Sequence, residues 1–193
     1  MNRIAILYAT REGHTRRIAE HVAAVLRKRG FESDVQDLRA DPLDAVLSGY
    51  SGAVLAASVH AGQHESEMVR FVRNHRTELK LIPAAFLSVT LSEAAVEMAD
   101  KPPQERARFA VGVQEVIDRF IEETGWQPAH VKPVAGALNY SQYNFFVRLI
   151  MKRIAREAGA STDTSRDYDY TDWEGLDRFI ESFADEIAVS ARV

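Results

Sequence analysis

The sequence predicts an α/β fold, a doubly wound five-stranded parallel sheet with a late insertion, and three observations predict it. Continuous apolar runs recur along the chain, stretches with apolar residues at helical spacing separate them, and polar or glycine-containing loops follow the first and third runs. A strand covered by helices on both faces has no polar side, so it reads as an unbroken apolar run.

The first run is Ile4–Ala9, IAILYA. After a polar loop at 10–15, Ile18, Ala19, Val22, Ala23, Val25 and Leu26 mark a helix, which Gly30 ends after the cationic turn Arg27-Lys28-Arg29. Glu32–Leu38 alternates as a second strand, and Pro42–Leu47 forms a short helix. Gly52–Ala57, GAVLAA, is the third strand, followed by a loop at 58–64 and a helix over Glu65–Arg76. Pro83–Val89, PAAFLSV, is the fourth. A polar segment with Pro102-Pro103 then leads to a helix over Arg106–Glu123 and a fifth strand over Val131–Leu138. In the last helix, Trp173–Val189, Leu176, Phe179, Ile180, Phe183 and Ile187 form the apolar stripe, with Asp172 as its cap.

Residues 139–170 break this rhythm, so they read as an insertion within a single domain spanning 1–193. Inside the insertion, Phe145, Phe146, Leu149, Ile150 and Ile154 make an apolar stripe, while Arg148, Lys152 and Arg156 recur on another side. Three uses stand for this basic stretch at 145–156: packing over the sheet, docking to an anionic membrane or a partner, and steering a carboxylate-bearing substrate.

A chain of 193 residues, 46% hydrophobic, suits one domain with a substantial core. Its net charge of −4 speaks against a broadly basic nucleic-acid surface. The absence of Cys excludes disulfides, thiolate nucleophiles and Cys-ligated clusters, and fits a cytoplasmic chain. The apolar run behind Met1-Asn2-Arg3 is too short for a signal-peptide core or a membrane span. No later run reaches about 18 apolar residues, so any membrane contact is expected to be peripheral.

In a doubly wound sheet ligands gather at the carboxyl ends of the strands, where the strand order reverses. The loop Thr10-Arg11-Glu12-Gly13-His14-Thr15 enters a helix, whose first-turn N–H groups lack partners and point toward an anion. Gly13 permits a close approach, Thr10 and Thr15 add hydroxyls, and Arg11 or His14 adds positive charge. Glu12 is expected to turn outward, since its charge would oppose a phosphate. An ordinary helix entry with Thr15 as a cap is the alternative. Neither GxxxxGK[ST] nor GxGxxG occurs after the first strand, so a mononucleotide is favoured over a Walker-type or dinucleotide ligand.

Four motifs, ILYATREGHTRRIA, VLAASVHAGQH, AAFLSVTL, and VAGALNYSQYNFFVRLIMKRI followed by DYDYTDWEGL, resemble the flavodoxin-like, menaquinone-dependent protoporphyrinogen IX dehydrogenases in order and spacing across nearly the whole chain. The resemblance implies a flavodoxin-like fold and FMN as cofactor, with the phosphate held by Thr10, Arg11, Glu12, Gly13, His14 and Thr15. It places Ser58, Val59, His60, Ala61 and Gly62, with Ser88, Val89, Thr90 and Leu91, around the ring system. Ala135, Gly136, Ala137, Leu138 and Asn139 complete the rim. No catalytic side chain is named, because a flavin accepts the electrons itself while the protein orients and tunes it. His60 and His64 lack the further ligands a metal site needs, so no metal is expected; His60 remains a candidate flavin or substrate contact. Tyr140 and Tyr143, with Asn139 and Asn144, either anchor the insertion or meet a flat ring. Trp126 and Trp173 are expected to be packing residues.

The function implied is FMN-dependent oxidation of protoporphyrinogen IX to protoporphyrin IX, with electrons passed to menaquinone or another quinone. A flavodoxin-type one-electron carrier and an NAD(P)H:quinone reductase are the alternatives. No nucleic-acid partner is expected, and a homo-oligomer is left open.

Overall fold

A computed structural model of the chain describes residues 2–40, 47–138 and 163–190. β1 (Arg3–Ala9) runs into α1 (His14–Lys28), and β2 (Glu32–Asp37) follows. β3 (Gly52–His60) turns back through the short β4 (Gln63–His64) into α2 (Ser66–Leu79). β5 (Ala84–Thr90) leads directly into α3 (Leu91–Glu97), and α4 (Pro103–Thr124) precedes β6 (His130–Ala135). The short β7 (Ala137–Leu138) pairs antiparallel with β8 (Tyr168–Asp169), and α5 (Trp173–Ser190) closes the described chain.

The main sheet has the order β2-β1-β3-β5-β6, with all four neighbouring pairs parallel. Successive side chains leave a strand on opposite faces, so each strand feeds two cores. Ile4, Ile6 and Tyr8 pack with α1 and with Leu176, Ile180 and Phe183 of α5. Ala5, Leu7 and Ala9 pack on the other face with Met68, Phe71 and Val72 of α2 and Phe120 of α4. This double coverage is why IAILYA shows no polar side: all six residues are buried. Trp126 is buried edge-on to Phe86 at 6.4 Å, as a packing residue.

The chain leaves β1 toward β2 on one side and continues from β3 on the other, so the order reverses between β1 and β3. Their carboxyl ends lie side by side, with Ala9 opposite Ala57. The loops that follow diverge from that point and leave a crevice.

The structure extends the sequence expectations in three places. A hairpin follows β3, pairing His60 with Gln63. α3 occupies the start of the polar segment, capped where Thr90 Oγ1 accepts from the Ser92 N–H at 3.3 Å. The single strand expected over 131–138 breaks at Gly136, whose N–H donates to Thr90 O at 3.1 Å while its carbonyl accepts from Tyr170 N at 3.3 Å. The chain changes pairing partner there, and a side chain at Gly136 would stand 3.4 Å from Leu91 N. Asp172 caps α5 as expected, accepting from Gly175 N at 2.9 Å.

The short helix expected at 42–47 lies outside the described residues except for Leu47, as do Asn139, Tyr140, Tyr143, Asn144 and the stretch 145–156. The described part of the insertion is its return, 163–170.

Candidate functional site

A cleft of about 310 Å³ opens at the carboxyl end of the sheet, in the range of small-molecule sites. Its floor is the loop after β1: Thr10, Glu12, His14 and Thr15 line it. Gly13 sits immediately before α1 with φ 82°, a left-handed conformation open to glycine at little cost, and open space surrounds the position of its missing side chain. No side chain caps α1 and no acid stands in its first turn, so the helix terminus keeps its partial positive charge. Thr10 Oγ1 accepts from the Gly13 N–H at 3.1 Å, which leaves its own hydroxyl hydrogen to donate. Thr15 is 1% exposed, and among the described residues its Oγ1 is the buried side-chain polar atom with no partner. A buried hydroxyl left unpaired is costly, so its presence at this spot marks a place for an acceptor.

The second wall comes from the turn after β3, where Ser58, Val59, His60, Ala61 and Gly62 all line the cleft. Ala61 and Gly62 carry φ of 49° and 74°, the two-residue hairpin geometry with both central residues left-handed. For Ala61 that conformation costs about 1–2 kcal/mol, strain held beside the cleft. Arg119 Nη1 clamps the turn by donating to Gly62 O at 2.7 Å.

The third wall is Val89, Thr90 and Leu91 with Ser92, faced by Gly112, Val113 and Val116 of α4, while Gly136 and Ala137 form the far rim. The walls are thus largely apolar and the floor polar, which suits a flat ring system carrying a phosphate tail.

Several predicted residues act from behind the lining. Arg11 turns away from the cleft: its Nε donates to Glu65 Oε2 at 2.5 Å and Nη2 to Glu67 Oε2 at 3.2 Å. Glu65 is 3% exposed, and it also accepts from Ser58 Oγ at 2.9 Å and stands 3.3 Å from His60 Nε2. One buried carboxylate therefore ties the loop after β1 to the turn after β3. Ser88 is fully buried and bonded to His64 Nε2 at 2.9 Å. His64 packs between Phe86 and Phe120 rather than toward His60, and burial pushes its pKa down to about 4. Ala135 and Leu138 are buried, and Asn139 falls outside the described residues. Glu12, expected to turn outward, instead borders the cleft, half-exposed, as the one acidic residue of its lining.

Sequence reasoning missed Glu65, Thr171 and the α4 residues. Thr171 Oγ1 lies 2.8 Å from His14 Nε2, a contact across 157 positions that no local pattern announces. Val113 and Val116 belong to a visible helix, but its spacing does not say which residues face the sheet edge.

A family model described as Flavodoxin domain matches residues 5–165. The chain is 33% identical over 183 residues to an Escherichia coli (strain K12) protein named protoporphyrinogen IX dehydrogenase [quinone], covering 95% of this chain and 93% of the relative. A Leishmania major protein of the same name is also 33% identical, over 93% of this chain and 73% of the relative. Among solved structures, a short-chain flavodoxin associated with a bacterial microcompartment superimposes with a TM-score of 0.54 at 14% identity, covering 97% of this chain and 99% of that one. Rubredoxin oxygen:oxidoreductase from Desulfovibrio gigas gives 0.58 at 10% identity, and the chain spans 38% of its length. These structural likenesses concern the fold.

Proposed function

Because this chain belongs to the flavodoxin-domain family and, within it, to the protoporphyrinogen IX dehydrogenases [quinone], we propose that it binds FMN in the cleft and oxidises protoporphyrinogen IX to protoporphyrin IX, passing the electrons to a quinone. The observation that carries the cofactor reading is the partnerless hydroxyl of Thr15, buried at the uncapped head of α1. A phosphate there accepts from Thr15 Oγ1, from the Thr10 hydroxyl and from the first-turn N–H groups. Ser58–Gly62, Val89–Leu91 and the rim at 136–137 border the ring. Arg11, Ser88 and Ala135 support these groups from behind.

When bound, FMN supplies reversible two-electron transfer, so the six electrons and six protons of one porphyrinogen leave in three cycles, each returning two electrons and two protons to a quinone. The protein's part is positional. Glu65 holds the two loops at a fixed spacing through Arg11 and Ser58, and the apolar wall of Val89, Leu91, Val113 and Val116 excludes water from one side of the cleft. The expected result in an anaerobic assay of FMN-loaded protein with protoporphyrinogen IX and menaquinone is porphyrin fluorescence, with three quinols formed per porphyrin. Porphyrin formation no faster than in the protein-free control contradicts the reading.

The acceptor is lipid-soluble, so a peripheral membrane contact through 145–156 belongs to the same proposal. Among the described residues no helix is long and apolar enough to cross a membrane. Arg148, Lys152 and Arg156 each contribute about 1 kcal/mol beside an anionic bilayer. Sedimentation with anionic lipid vesicles is expected to carry the protein down, and the triple change R148E/K152E/R156E to leave it in solution. Wild-type protein that stays in the supernatant removes this contact.

A further inference from the structure

His14 is the first residue of α1, borders the cleft and is 7% exposed. Its Nε2 lies 2.8 Å from Thr171 Oγ1, and that oxygen lies 2.9 Å from the Ala135 carbonyl. A carbonyl only accepts, so the single hydroxyl hydrogen of Thr171 goes to Ala135 and its oxygen receives the hydrogen of His14 Nε2. The chain Ala135–Thr171–His14 therefore fixes the tautomer with the hydrogen on Nε2. Nδ1 makes no hydrogen bond among the described residues and remains the ring's open position.

The charged groups acting on the ring oppose one another. On its own helix stands Arg17; from β8 comes Asp169, 3.7 Å from Nε2 and shared with Arg17 at 3.3 Å. Glu12 borders the same cleft from the loop. α5 contributes Trp173, edge-on at 6.2 Å, and beyond it His21 and Asp177 pair with each other. No neighbouring group commits the ring to the charged form. Burial holds its pKa below the ordinary histidine value, with Asp169 opposing and Arg17 assisting that shift.

We propose that His14 is a proton-linked anion contact: when the FMN phosphate dianion arrives at the head of α1, the imidazole takes up a solvent proton at Nδ1 and pairs with it, held in place by Thr171. The inference rests on the FMN reading and adds to it a proton that enters with the cofactor. It also ties the phosphate floor to the return of the insertion, because Thr171 lies two residues beyond the end of β8.

Linkage gives the sign. Loading raises the pKa of the ring, so FMN affinity gains from His14 as pH falls from above the loaded value toward the free value, which lies below 6.5. The phosphate itself titrates near pH 6 in the opposite sense, and that contribution is common to every variant. The test is the ratio of FMN dissociation constants, His14→Gln over wild type, measured by fluorescence quenching from pH 9 to pH 6. The ratio is expected to rise on acidification, by about tenfold for each unit of pKa shift. Riboflavin, lacking the phosphate, is expected to give a ratio independent of pH. Imidazole NMR of the wild-type protein supplies a readout independent of any variant, with His14 charged when loaded at a pH where it is neutral when free. Thr171→Val is expected to flatten the pH profile while FMN still binds. A ratio that does not change with pH, or an imidazole that titrates identically with and without FMN, overturns the proposal alone. Wild-type protein that binds no FMN at any pH overturns the FMN reading and this inference with it.

Discussion

Thr15→Val is expected to weaken FMN binding by about 10- to 100-fold while leaving the FMN-free protein at least as stable as wild type. The first effect follows from losing a hydrogen bond to a charged group, worth about 1.5–3 kcal/mol. The second follows from the same atom's lack of any protein partner: Oγ1 is buried and unpaired, so a methyl of similar shape removes a desolvation cost without breaking a contact. Most substitutions in a cofactor loop lower affinity and stability together, and their separation here distinguishes a ligand-directed hydroxyl from a structural one. Thr10→Val lacks that separation, since Thr10 Oγ1 also accepts from Gly13 N. Titration with FMN and thermal denaturation of the FMN-free variant check both halves. A lower melting temperature with unchanged affinity contradicts the assignment.

The second large effect concerns acid stability. His64 lies between Phe86 and Phe120 with its pKa at about 4, against an ordinary value of 6.5. In the unfolded chain it gains a proton near pH 6.5, whereas the native state resists protonation down to about 4. The stability associated with the neutral ring is therefore complete above pH 6.5 and is lost as pH falls to 4, by about 3 kcal/mol. His64→Gln keeps a polar partner for buried Ser88 and is expected to remove most of this slope. His14, also held low by burial, leaves a residual slope of the same sign. Urea midpoints at pH 7 and pH 4.5 test this, and equal acid losses in wild type and variant would show that His64 is not the group responsible. The matter bears on the cleft because Ser88, the partner of His64, immediately precedes Val89 and Thr90 in its wall.

What was legible in the sequence was whatever a residue's own neighbours determine. IAILYA, GAVLAA and PAAFLSV announced buried parallel strands because burial on both faces removes alternation, and the sheet follows from their order. The loops at 10–15, 58–62 and 89–91 were legible as neighbours around one cleft because in a doubly wound sheet position along the chain fixes position at the carboxyl edge, although Arg11 and Ser88 stand behind the lining. The hairpin after β3 was not, since Ala61 is a poor residue for a left-handed turn and the strain is held by its surroundings. α3 is seven residues long, too short to show a helical stripe. The break at Gly136 depends on Thr90 taking its N–H and Tyr170 its carbonyl, partners far apart in the chain. Arg11 read locally as a phosphate contact, yet Glu65 and Glu67, more than fifty positions away, take its guanidinium.

Electron transfer from protoporphyrinogen IX through FMN to a quinone is read most directly by anaerobic reduction of the FMN-loaded protein, followed by loss of flavin absorbance, with protoporphyrinogen IX and NADPH offered separately and menaquinone added afterwards. Oxidation of protoporphyrinogen IX by the bound flavin requires rapid bleaching by that substrate, little by NADPH, and recovery of the absorbance when menaquinone is added. Fast bleaching by NADPH with no porphyrin formed from protoporphyrinogen IX would contradict it.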